Sequence, residues 1–201
     1  MKSLILYLLC IFTVIGCDSE NTSENGSTSS ISNTSQEQVY SFSDYDSIKL
    51  SPVLLRRHNL YFNSPVTWQH SVESGLDIWK IPCTNNNLYC ANFMVNIVPV
   101  TKVNSLDNYS TAFVVALKEK EDVADFKLVG NTRDTIDGNE CSIIDFKYSL
   151  RGNDVGGTAM LLLLRNKLLI MSFTAPNDPP KSYVRYRGLY NRIIKSVGFV
   201  K

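Results

Sequence analysis

Few side chains in this sequence are able to do covalent or metal chemistry, and their spacing narrows the choice. His58 and His70 stand twelve residues apart. They lack the H-E-x-x-H spacing that sets two imidazoles on one helical face for zinc. No G-x-S-x-G supplies a nucleophile elbow. Gly152-Asn153-Asp154-Val155-Gly156-Gly157 is glycine-rich but leads into an expected strand, so it offers no helix N-terminus to a phosphate. It reads as a loop. Glu121, Asp122 and Asp125 read as a solvated helix end rather than paired acids. No catalytic residue, metal ligand or cofactor is expected, and a protein-binding or accessory role is favoured over catalysis.

The cysteines are Cys10, Cys17, Cys83, Cys90 and Cys141. Cys83 and Cys90 flank Thr84-Asn85-Asn86-Asn87-Leu88-Tyr89, and residues 77–82 and 91–98 read as the arms of a hairpin. Asparagine tolerates turn conformations, so the triple Asn suits the tip. The two thiols then oppose each other at its base. In an oxidising compartment they are expected to form a structural disulfide worth roughly 2.5 kcal/mol in the chain-entropy model. Cys141, at a strand start, reads as a small buried hydrophobe. Trp68, Trp79, Tyr61 and Tyr89 crowd the same region, and Trp68, Trp79 and Tyr89 with Asn85, Asn86 and Asn87 form a candidate partner-binding surface. Core aromatics beside a polar tip are the competing reading, and the favoured one.

The elements that must position these residues follow from periodicity. Ser105 can cap a helix whose stripe is Leu106, Tyr109, Phe113, Ala116 and Leu117. Asp178 and Pro179 suit the start of a second, with Tyr183, Tyr186, Tyr190, Ile193, Ile194 and Val197 facing inward. Strands are expected at 59–62, 66–71, 126–129, 141–150, 157–164 and 168–174, besides the two hairpin arms. Ile144, Phe146, Tyr148 and Leu150 alternate with polar residues. Met160-Leu161-Leu162-Leu163-Leu164 does not alternate, which places it in a strand buried on both faces. The fold class is α+β: a mostly antiparallel central sheet of about six or seven strands with two amphipathic helices packed on it. Lys and Arg total 20 against 19 Asp and Glu. Without residues 1–16, which contain Lys2, the balance is zero, and such a chain has no strong field to draw nucleic acid.

At the N-terminus Met1-Lys2 precedes an apolar run of about 13 residues, short of the roughly 20 that span a bilayer but right for a signal-peptide core. Val14-Ile15-Gly16-Cys17 resembles the lipobox of bacterial lipoproteins. The resemblance implies that residues 1–16 are a signal peptide and that Cys17 becomes an acylated N-terminus held in the bilayer. Residues 17–45 then form a disordered polar tether, of which 18–38 alone span about 25 Å, and 46–201 a single domain. Asp18 resembles an inner-membrane retention signal. The expected location is the cell envelope, lipid-anchored and facing the periplasm.

Within the domain, Phe62-x-x-Pro65-x-x-Trp68, Asn92-x-x-Val95, the turn at Ile136-Asp137-Gly138-Asn139-Glu140, and Ser172-Phe173-Thr174-Ala175-Pro176 occur in one order. A Tyr-rich helix ending in Lys195-Ser196-Val197 follows them. This order resembles the PsbP/DcrB-like superfamily, over about residues 58–198. The resemblance implies an α/β/α sandwich used for scaffolding and binding, without a shared active site. The superfamily includes envelope lipoproteins; the missing catalytic constellation and the long tether make another envelope or secreted protein the expected partner. Two alternatives stand beside it: an immunity protein that neutralises a secreted toxin, and a small-ligand-binding or enzymatic domain with a pocket between sheet and helices.

Overall fold

The computed structural model describes residues 47–82, 89–100, 104–177 and 182–200. The expected signal peptide, Cys17 and the tether lie outside these residues, as do Cys83, Asn85, Asn86, Asn87 and the expected cap Asp178. The strands are β1 (Leu50–Leu55), β2 (Leu60–Pro65), β3 (Gln69–Glu73), β4 (Leu76–Lys80) and β5 (Asn92–Pro99). After α1 (Leu106–Lys118) come β6 (Val123–Ile136), β7 (Asn139–Leu150), β8 (Asn153–Leu164) and β9 (Lys167–Pro176). Helix α2 (Ser182–Lys195) and the two-residue β10 (Gly198–Phe199) close the domain.

A seven-stranded antiparallel sheet runs β3-β4-β5-β9-β8-β7-β6, and a second sheet runs β1-β2-β10. The fold is α+β, with a helix on each face of the large sheet. On one face Phe113 and Leu117 of α1 pack with Ile144, Phe146, Leu161 and Ile170. On the other, Tyr190, Ile193 and Ile194 of α2 and Phe62 of the small sheet pack with Phe93, Met160, Met171 and Phe173. Strand β8 serves both cores. Met160 and Leu162 belong to the α2 side, while Ala159 and Leu161 belong to the α1 side. Double burial therefore explains the unbroken apolar run.

Local chemistry sets the boundaries. Ser105 Oγ accepts the Asn108 N–H at 3.3 Å, capping α1 as its type predicts. The β6–β7 and β7–β8 turns place Asp137-Gly138 and Arg151-Gly152 at positive φ, the pattern of tight two-residue hairpins. Because the second turn ends at Gly152, β8 starts at Asn153, and the glycine-rich segment read as a loop is largely strand. Gly156 and Gly157 have a packing role there. A Cβ at Gly156 would lie 2.3 Å from Tyr183 Cγ, and one at Gly157 2.3 Å from Phe146 Cε2. Each glycine lets an aromatic ring lie against one face of the sheet.

Strand β6 is far longer than the expected 126–129. It is an exposed edge with two register shifts, between Ala124 and Lys127 and between Leu128 and Gly130. Asp125, at φ 52°, sits in the first of these bulges.

Candidate functional surfaces

The aromatic residues proposed as partner anchors are distributed differently from that expectation. Trp68 and Trp79 are buried. Trp79 stacks on Phe93 with centroids 4.8 Å apart and meets Phe62 edge-on at 5.2 Å, while Trp68 stacks on Phe173 at 6.2 Å. The α2-side core needs both indoles to fill the space between β2, β4, β5 and β9. They are core residues and not surface anchors.

Tyr89 also turns inward. Its hydroxyl lies 2.5 Å from Thr174 Oγ1 and accepts from Asn92 Nδ2 at 3.2 Å. Asn92 and Thr174 are direct partners across β5 and β9, and Thr174 Oγ1 donates to Asn92 Oδ1 at 3.2 Å. Two of the motifs quoted from sequence thus meet in one hydrogen-bonded group. Burial pushes the Tyr89 phenol above its ordinary range, and the nearby Tyr148 phenol further. Cys90 is disulfide-bonded. Its expected partner Cys83 and the Asn85–Asn87 tip lie outside the described residues. Cys141 is buried, and burial pushes its thiol up to about 11, which suits an unreactive side chain.

Two carboxylates gather polar partners on the α2 side. Asp77 of β4 pairs with Arg57, from the 3-10 turn Arg56–His58, and accepts from or faces His70 Nε2 at 3.0 Å. The His70 ring stacks on Trp79 at 4.3 Å. Desolvation, then the neighbouring Arg57, lowers the His58 pKa, while Asp77 opposes the shift. The structure thus brings both histidines of the sequence near one acid. Ser71, beside His70, donates instead to Glu73 at 2.8 Å.

Asp145 of β7 accepts from Thr158 Oγ1 at 2.7 Å, from Arg187 Nη2 at 2.5 Å and from Tyr183 OH at 3.4 Å. Each guanidinium offsets its carboxylate's charge, so these groups fix the 3-10 turn and α2 against the sheet. Sequence periodicity missed both, because each joins segments distant in the chain. Asp122 pairs with Lys120 at 3.1 Å. Among the described residues no three His, Cys, Asp or Glu are grouped to hold a metal ion, and no helix is long and apolar enough to cross a membrane.

The β6 edge is one of the two edges of the large sheet, β3 being the other. Its side chains are mostly exposed, among them Leu128 at 50% and Val129 at 59%. Lys127, Arg133 and Asp134 and the two bulges discourage uncontrolled pairing along it. Leu128 and Val129 form an exposed apolar step on this edge.

No model of a known family and no curated protein matches the sequence. Solved structures do match the fold. The chain is similar to the cyanobacterial PsbP (CyanoP) of Synechocystis sp. PCC 6803, at 14% identity over 76% of this chain and 94% of that one, with a TM-score of 0.58. It is similar to LpqN of Mycobacterium tuberculosis, involved in cell envelope biogenesis, at 15% identity over 81% and 98%, TM-score 0.58. It is also similar to the Ran-binding protein Mog1p of Saccharomyces cerevisiae, at 11% identity over 77% and 97%, TM-score 0.58. The order of motifs, the antiparallel sheet with a helix on each face and these matches give one conclusion: the domain has the PsbP-like fold.

Proposed function

We propose that the protein is a membrane-anchored lipoprotein of the cell envelope whose domain is a non-catalytic binding or accessory module for another envelope or secreted protein. The lipobox-like Val14-Ile15-Gly16-Cys17 supports the anchor, and the polar segment after it supports a tether. The observation that carries the binding role is the β6 edge. A 14-residue strand with exposed Leu128 and Val129 offers main-chain groups and an apolar foothold to an added strand. The compact groups around Asp77 and Asp145 support a scaffold more than an active site, since each acid is held by an arginine.

Site-specific photo-crosslinking tests this in intact cells. A photoreactive residue at position 128 or 129 should give one discrete adduct with a second protein, and one at exposed Lys118 on α1 should not. Uniformly weak adducts at all three positions would remove the binding role from this edge.

A further inference from the structure

The count of zero net charge for residues 17–201 conceals a division. Residues 17–46 carry six Asp or Glu and no Lys or Arg. Residues 47–201 carry 19 Lys or Arg against 13 Asp or Glu, a net of +6. The six acids of residues 17–46 are what bring the total to zero, and residues 47–201 by themselves are cationic.

Part of that charge lies on α2 and beside it. Helix α2 holds Arg185, Arg187, Arg192 and Lys195 and no acid. Arg187 is engaged by Asp145, and Arg192 Nη2 donates to the Ile48 carbonyl at 3.2 Å. An open cleft of about 670 Å³ lies between the C-terminal end of α2, the start of β1 and Asn63 of β2. Lys49, Arg192 and Lys195 line it, and none of its eight lining residues is acidic. Beside it the outer face of the small sheet is apolar. Leu54 and Tyr61 oppose each other across β1 and β2, Val200 follows β10, and each is roughly half exposed. Gly198 lets the Tyr61 ring lie against β10.

We infer that this cleft and the adjoining outer face of the β1-β2-β10 sheet dock the domain onto an anionic lipid surface. The inference rests on the reading of Cys17 as the anchor. Ser47 lines the cleft, so the chain leading back to Cys17 leaves the domain from this face. A flexible tether attached there lets the cationic cleft reach the bilayer. Three basic side chains complement lipid phosphates, and a tyrosine flanked by aliphatic residues suits the headgroup region. The acidic tether is repelled by the same lipid, which leaves the cleft to the phosphates.

Hydrogen exchange on the full acylated protein tests the inference, in vesicles of phosphatidylcholine with or without phosphatidylglycerol. Peptides covering β1, β2 and the end of α2 should gain protection only with the anionic lipid, and lose it at high salt. Exposed Lys49 and Lys195 can be reversed without disturbing the core. Lys49→Glu with Lys195→Glu should lower the ratio of docked to free domain by about 30-fold or more, with an unchanged melting temperature. Flotation reads the anchor separately. Protein that floats only with anionic vesicles supports docking and removes the anchor. Protein that floats with both vesicles but exchanges identically in them overturns docking and leaves the anchor standing. Two further results also overturn docking. One is equal protection by inorganic phosphate with zwitterionic vesicles. The other is protection without anionic lipid that disappears on Asp44→Asn with Asp46→Asn, which would assign the cleft to the tether.

Discussion

Trp79→Ala is expected to lower the unfolding free energy by about 3–5 kcal/mol, the range for deleting a large aromatic side chain from a packed core. The indole touches three rings: it stacks on Phe93 and on His70 and meets Phe62 edge-on. Its loss opens a cavity between the two sheets that neither backbone closes cheaply. Urea denaturation followed by far-ultraviolet circular dichroism measures the change. The result also separates two roles for the residue. A core tryptophan predicts a large loss of stability, with partner adducts at position 128 unchanged in whatever protein stays folded. A surface anchor predicts the reverse, a stable fold and a lost partner. Trp79→Phe should recover much of the stability, because a smaller ring still stacks on Phe93.

Gly157→Ala is expected to cost about 2–3 kcal/mol for the opposite reason, overpacking. The added methyl would meet the Phe146 ring at 2.3–2.5 Å and the Phe173 carbonyl at 3.0 Å. Phe146 sits in the α1-side core against Phe113, Phe126 and Tyr148, so it has little room to move. The carbonyl belongs to the neighbouring strand β9 and cannot turn away without breaking the ladder. Gly152→Ala is the informative control. Nothing lies within 4 Å of its Cβ, and its cost is that of placing alanine at φ +80°, about 1 kcal/mol. Thermal denaturation of the two variants should therefore rank Gly157→Ala as clearly the more damaging. Equal effects would mean that Phe146 relaxes freely and that the α1-side core is looser than described.

Periodicity carried the reading of β4, β5, β7, β8, β9 and both helices, because those elements bury a regular face; of the strand expected at 66–71 only 69–71 lie in β3. Leu106, Tyr109, Phe113, Ala116 and Leu117 are all buried as the helical stripe requires. The apolar run at 160–164 lies in a strand flanked by β7 and β9. What periodicity missed lacks a regular face or depends on distant partners. Strand β1 contains Pro52, which is tolerated because β1 is an edge of the three-stranded sheet. Strand β10 is two residues long and acquires its pairing only from β2. Strand β6 is exposed over most of its length, so it shows no sustained apolar alternation.

The site residues divide in the same way. Tryptophan types alone do not distinguish a core from a surface, and here the three-ring packing around Trp79 decides. The Asp77 and Asp145 groups unite residues 20 and 42 positions apart, counting Arg57 and Arg187, beyond any local pattern. The division of charge is present in the sequence, and shows when residues 17–46 and 47–201 are counted apart.

Intact-mass spectrometry of the protein extracted from membranes tests the central claim most directly. An anchored module begins at Cys17: the measured mass should lack residues 1–16 and carry a diacylglycerol with an additional acyl chain on that cysteine. A mass that retains residues 1–16, or a bare Cys17 at the mature N-terminus, would contradict the account.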